Sequence, residues 1–67
     1  MIYKQGDVLE LKDGKVCTVV QVTQRGEDYI RYYCLEGTEP PKNVPPEQWP
    51  FIGVSPDEIK KQIGTVG

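Results

Sequence analysis

The chain has 67 residues, with 8 basic and 10 acidic side chains, no histidine and a net charge of -2. This length suits a single domain, 1–67, because so short a chain buries only about 60% of the surface that its unfolded form exposes. The net negative charge argues against non-specific binding to nucleic acid, because such binding relies on Lys and Arg to neutralise phosphates. With no run of about 20 apolar residues and no signal-peptide core, we expect a soluble, cytoplasmic protein without membrane contact.

The residue inventory also argues against catalysis. Without histidine, the chain lacks the commonest general base and the usual activator of a serine or cysteine nucleophile. Two cysteines without Cys-x-x-Cys spacing cannot supply a four-ligand zinc site, and there is no glycine-rich phosphate loop. We therefore predict that the protein is not an enzyme, with no catalytic, cofactor-binding or metal-binding residue.

Residues 6–11 and 16–23 have the composition of two β-strands. The Asp13-Gly14 pair between them is a strong hairpin signal, since a type I′ turn requires positive φ at both central residues. A two-residue loop at this point pairs Leu11 with Val16. That register predicts a core face consisting of Leu9, Leu11, Val16, Thr18 and Val20.

A third strand is predicted at 29–36, and two loops could connect it to the second. A two-residue loop, 25–26, would pair Cys17 with Cys34. A three-residue loop, 24–26, places Gly26 in the left-handed conformation and pairs Val20 with Ile30. We favour the second loop because it collects the apolar residues on one face. It predicts that Cys34 is buried and Cys17 partly exposed on the opposite face, with no disulfide between them.

The face opposite the predicted core is the candidate binding surface. It holds two tyrosines and an arginine, residue types that are enriched at protein interfaces. Together with the single tryptophan, the candidate partner-binding residues are Val19, Tyr29, Arg31, Tyr33 and Trp49. An equally weighted alternative is that Trp49 and the neighbouring prolines cover this face as a second small core.

The segment 37–50 contains five prolines and is predicted to be an extended, polyproline-like connection that Trp49 pins to the domain. It has no Pro-x-x-Pro spacing, so we interpret it as structural rather than as a ligand for another domain. The carboxylates around it are expected to be solvated rather than to form an acid/base pair. They are Glu36, Glu39 and Glu47.

A short strand at 51–54 and a helix are predicted to complete the chain. Ser55, Pro56 and Glu58 match the N-cap, N1 and N3 positions of a capping box. Ile59 and Ile63 would then share one helix face. The only serine of the chain is therefore interpreted as a helix cap and not as a nucleophile.

The elements together resemble the SH3-like small β-barrels that include Tudor and KOW modules. The resemblance is carried by the Gly6-Asp7-Val8 start, the Asp13-Gly14 turn, the strands at 16–22 and 29–36, and the short strand near Phe51. It implies an all-β fold of about five short antiparallel strands, to which the sequence adds a short C-terminal helix. The KOW basic residues and an aromatic cage are missing.

Members of such barrel families bind peptides or nucleic acids. We therefore expect a non-enzymatic protein-interaction module, or a small accessory or regulatory protein, whose partner is another protein. The alternative is a nucleic-acid-binding SH3-like barrel that stacks bases on the same tyrosines and contacts phosphate through Arg31, Lys12 and Lys15.

Overall fold

The computed structural model describes residues 2–26, 29–39 and 41–66. Its fold is all-β, with five antiparallel strands in one sheet of order β4-β3-β2-β1-β5. Within the described residues, β4 and β5 form the two edges and the sheet does not close. The strands are β1 (Asp7–Leu11), β2 (Val16–Arg25), β3 (Tyr29–Glu36), β4 (Ile52–Val54) and β5 (Ile59–Thr65).

The four strands predicted from the sequence are confirmed, and β3 has the predicted bounds. The predicted first hairpin is wrong by one residue. Leu9 pairs with Cys17 and Glu10 with Val16, so the loop has three residues. Gly14, at φ 93°, is its one residue with positive φ, and its N–H donates to the Leu11 carbonyl at 3.0 Å. A type I′ turn is excluded because Asp13 does not adopt positive φ.

This single slip inverts the predicted core face of the first half of β2. Cys17 and Val19 point into the core, while Val16 and Thr18 lie on the other side. The main core consists of Leu9, Leu11, Cys17, Val19, Tyr32, Cys34, Val54 and Ile59.

Both predicted loops between β2 and β3 are also wrong. The strand β2 continues to Arg25, which pairs with Tyr29, and Val19 pairs with Cys34. Gly26 has the predicted left-handed conformation, at φ 72°, whereas residues 27–28 lie outside the described part of the chain. The register shifts between Val19 and Gln21, which marks a β-bulge that changes which side chains face inward.

The predicted C-terminal helix is wrong. Pro56–Glu58 forms one turn of 3-10 helix, and the residues after it form β5, which pairs with β1. The buried backbone of β1 needs hydrogen-bond partners on both sides, whereas a helix of two turns gains little stability by itself. Ile63 illustrates the difference, because it is 48% exposed instead of packing with Ile59.

The proline-rich connection is not uniformly extended as predicted. It contains a turn of 3-10 helix at Pro46–Gln48 and a left-handed residue, Asn43, at φ 61°. Pro45 and Trp49 on either side of the helical turn have extended backbone, and Pro40 lies outside the described residues. The connection therefore changes direction at these residues, and β4 then pairs with β3 at the edge of the sheet.

Candidate functional site

Tyr29, Arg31 and Tyr33 lie on one face of β3 because side chains alternate along a strand. We call these three residues the tyrosine–arginine surface. Tyr29 is 51% exposed, Arg31 is exposed and Tyr33 is half-buried. The alternate residues Tyr32 and Cys34 point into the core. The predicted alternation of β3 is therefore confirmed.

Arg31 has a defined position on this surface. Its guanidinium carbon lies 5.9 Å from the centre of the Tyr29 ring, within the range of a cation–π contact. On the neighbouring edge strand, Gly53 pairs with Tyr33. A Cβ atom built on Gly53 would lie 3.5 Å from Arg31 Nη1 and 3.6 Å from its Cδ. The absence of a side chain at Gly53 leaves room for Arg31 to lie across the edge strand.

The surface borders a groove of about 330 Å³ at the far end of the β2–β3 ribbon. Thr23, Gln24 and Arg25 complete its lining from β2. The described lining thus combines two guanidinium groups, two phenol rings, a hydroxyl and an amide. This arrangement can stack on flat groups and donate hydrogen bonds to acceptors of a ligand.

Val19 does not belong to this surface, and its predicted position there is wrong. It is 1% exposed and lies in the main core. The cause is the register of β2, which the sequence does not reveal because Val19, Val20 and Val22 are equally suited to either face. A buried side chain in this position cannot contact a partner directly.

Trp49 is half-buried and lies away from the groove, whose lining does not include it. Its indole N–H donates to the Val44 carbonyl at 2.8 Å, and its ring centre is 6.1 Å from that of Phe51. It lines a second cavity beside Val20 and Leu35, on the outer face of the sheet. The alternative that Trp49 covers Tyr29, Arg31 and Tyr33 as a second small core is not confirmed, because Trp49 does not line their groove and Tyr29 is 51% exposed.

The two cysteines share the core. Both are free and fully buried, so the predicted burial of Cys34 is confirmed and the predicted exposure of Cys17 on the opposite face is wrong. Burial, together with the adjacent Cys17, raises the pKa of the Cys34 thiol to about 12. Burial also raises the pKa of Cys17, although a hydrogen bond from the neighbouring thiol partly opposes this. Both groups are thiols at neutral pH, whereas nucleophilic attack requires thiolate.

The remaining sequence candidates are structural or solvated. The Ser55 N–H donates to Glu58 Oε2 at 2.7 Å, and the Glu58 N–H donates to the Ser55 carbonyl at 3.0 Å, so these residues close the turn before β5. The carboxylates expected to be solvated are exposed, as predicted: Glu36, Glu39 and Glu47.

Sequence reasoning missed Arg25 and Gly53 as parts of the site. Arg25 enters the groove because β2 is longer than predicted, and Gly53 matters only through the pairing of β4 with β3. The described residues include no group of three or more side chains suited to hold a metal ion. None of their helical segments has the length and apolar character that crossing a bilayer requires. Comparison of the chain with protein-family models, curated proteins and solved structures finds no match.

Proposed function

We propose that this chain is a non-enzymatic protein-interaction module built on an SH3-like small barrel, and that it serves as an accessory or regulatory protein. The barrel proposal is supported by the consecutive strand order and by the return of β5 to β1. The register shifts in the β1–β5 and β2–β3 pairs also support it, because bulges bend strands as a small barrel requires.

The observation that carries the binding proposal is that a tyrosine and an arginine are exposed and in contact with each other on one face of the sheet. Tyr29 is half exposed and Arg31 lies against its ring. Tyrosine and arginine supply much of the binding energy at protein interfaces, because each offers a large contact area together with hydrogen-bond donors. Because Arg31 already lies over the Tyr29 ring, it would lose less conformational freedom on binding than a side chain without such a contact.

Nucleic-acid binding is the second candidate, and a specific observation favours it. Arg25 and Arg31 both line the groove, next to two tyrosines on which bases could stack. The net charge of -2 opposes this alternative, because long-range attraction of a polyanion needs an excess of basic residues. A protein partner is therefore the main proposal.

We also propose that the module works in the cytoplasm. Two free, buried thiols suit a reducing compartment, where disulfides are rarely formed.

The experiment compares Tyr33→Ser with the wild-type chain as bait in quantitative pull-downs from the native host. Captured proteins are then identified and titrated as purified components. We expect Tyr33→Ser to weaken capture at least about tenfold, as loss of an interface aromatic does. Its free energy of unfolding, measured on the same sample, should fall by no more than about 1 kcal/mol.

Ile63→Ser is the control, because Ile63 is an exposed apolar residue that lies on β5 and does not line the groove. It should leave capture unchanged. Parallel losses of capture and stability in Tyr33→Ser would assign Tyr33 to the packing of the domain and remove the proposed surface. Tight binding to a single-stranded oligonucleotide that weakens steeply with salt would favour the nucleic-acid alternative.

A further inference from the structure

The cavity beside Trp49 is a second feature of the outer sheet face, separate from the tyrosine–arginine surface. Its volume is about 400 Å³, which lies in the range of small-molecule pockets. The proline-rich connection forms one wall and the sheet forms the floor. We call it the Trp49 cavity; its principal lining residues are Thr18, Val20, Leu35, Glu39, Trp49 and Val66.

Three of the backbone donors around the Trp49 cavity are used within the protein. The N–H groups of Gly6, Gly37 and Val66 each donate to a backbone carbonyl, at 2.9, 2.8 and 2.7 Å respectively. Such groups are poor partners for a ligand, since binding would first have to break an internal hydrogen bond. These three N–H groups are therefore not available to an anionic ligand, although anion sites normally present such donors.

Two side-chain donors of the lining are likewise used within the protein. The Thr18 hydroxyl donates to the Gly37 carbonyl at 2.7 Å, and the Trp49 indole N–H donates to the Val44 carbonyl at 2.8 Å. Trp49 thus offers the cavity the apolar and π surface of its ring. Among the described lining residues, Glu39 carries the one charge, a carboxylate exposed at the edge of the cavity.

From these observations we propose that the Trp49 cavity binds an organic cation with an apolar body, such as an alkylammonium group. The apolar body packs on Val20, Leu35 and Trp49, and the ammonium group meets the Glu39 carboxylate. A cation near an indole ring gains a further attraction from the ring quadrupole. This inference goes beyond the proposed function, because it concerns a different site and a different ligand.

The test uses n-hexylamine, a cation at neutral pH, with 1-hexanol and hexanoate as neutral and anionic probes of similar length. Trp49 is the only tryptophan, so its fluorescence reports on this cavity alone. We expect saturable binding of the amine and about fivefold weaker binding of the alcohol, the combined effect of an exposed ion pair and a cation–π contact. Hexanoate should bind more weakly than either.

Glu39→Gln keeps the shape of the side chain and removes its charge, so it should weaken amine binding to the level of the alcohol. Glu36→Gln is the matched control, because Glu36 is exposed in the same region but does not line the cavity. N-acetyl-lysine methylamide is the last probe. Tighter binding of this probe than of hexylamine assigns the cation to a protein side chain, and the reverse assigns it to a free amine.

Three results would overturn the proposal. They are the absence of saturable binding of either cation, equal affinities for the amine and the alcohol, and equal effects of Glu39→Gln and Glu36→Gln. None of them bears on partner capture by the tyrosine–arginine surface, which lies outside this cavity.

Discussion

At the scale of single residues, Gly6 joins the two ends of the described chain. Its carbonyl accepts a hydrogen bond from the Val66 N–H at 2.7 Å, and its own N–H donates to the Val19 carbonyl at 2.9 Å. Its φ is 95°, in the left-handed region that glycine adopts without strain. A Cβ atom at this position would lie 2.8 Å from the Val66 carbonyl oxygen.

We predict that Gly6→Ala lowers the free energy of unfolding by about 2 kcal/mol or more, because backbone strain adds to a clash with backbone. Gly14→Ala is the control: its φ is 93°, but no heavy atom lies within 4 Å of the added Cβ. It should cost about 1 kcal/mol, from the backbone strain alone. Urea unfolding of both variants measures the difference, and equal losses would contradict the clash.

Residue-scale predictions from the sequence succeeded where alternation along one strand decides the outcome. Tyr29, Arg31 and Tyr33 share a face whatever strand lies beside β3, so their grouping follows from the sequence of β3 alone. The position of Val19 depends instead on the β1–β2 turn and on a bulge that no residue of β2 announces. For the same reason, the favoured loop placed Cys17 and Cys34 on opposite faces, although both lie in the core.

At the scale of elements, the local helix signal and the tertiary strand pairing disagree in the C-terminal segment. Ser55 to Glu58 form the helix start that the capping pattern predicts, but the helix ends after a single 3-10 turn. The following residues pair with β1, which is buried through Leu9 and Leu11 and whose backbone N–H and C=O groups therefore need hydrogen-bond partners. Because β1 is far from this segment in the sequence, the local sequence does not indicate the pairing.

The element-scale prediction concerns the edge strand β4. Gly53 does not have positive φ, and a Cβ atom there would make ordinary contacts with Arg31, at 3.5 and 3.6 Å. Gly53→Ala should therefore raise the free energy of unfolding by about 0.5 kcal/mol, because it restricts the unfolded chain. Gly53→Val is predicted to displace Arg31, since the valine side chain needs the space that the Arg31 side chain occupies.

Two measurements check this prediction: urea unfolding of both variants, and the NMR shift of the Arg31 Nε–H, which is sensitive to the nearby Tyr29 ring. The Arg31 signal should be nearly unchanged in Gly53→Ala and should move in Gly53→Val. A loss of stability in Gly53→Ala, or an unmoved Arg31 in Gly53→Val, would show that β4 does not support the arginine as described.

At the scale of the whole molecule, the described strands leave the sheet with two open edges, and both are poor templates for further strand pairing. β4 has three residues, and β5 combines two register shifts with exposed Lys60 and Lys61. Short strands, bulges and lysines are the usual protection against edge-to-edge aggregation. Both proposed binding features, the tyrosine–arginine surface and the Trp49 cavity, lie on the faces of the sheet.

The buried thiols couple the stability of the whole domain to alkaline pH. In the unfolded chain both cysteines ionise near their ordinary pKa of 9.0, whereas in the folded state burial raises both values, that of Cys34 to about 12. Above pH 9 the folded state therefore binds more protons than the unfolded state. The contribution of the two thiols to the free energy of unfolding is complete below pH 9. As the pH rises further, this contribution falls by at most about 1.4 kcal/mol per pH unit for each thiol.

We predict that Cys34→Ala reduces this alkaline slope, although the smaller side chain lowers the stability at every pH. Urea unfolding under reducing conditions, from about pH 8 to about pH 10.5, covers the range in which free thiols ionise. The two proteins differ in this one side chain, so the difference between the two curves isolates the thiol. The curves should converge as the pH rises. Curves that stay parallel would mean that Cys34 ionises as readily in the folded domain as in the unfolded chain, which is incompatible with its complete burial in the core.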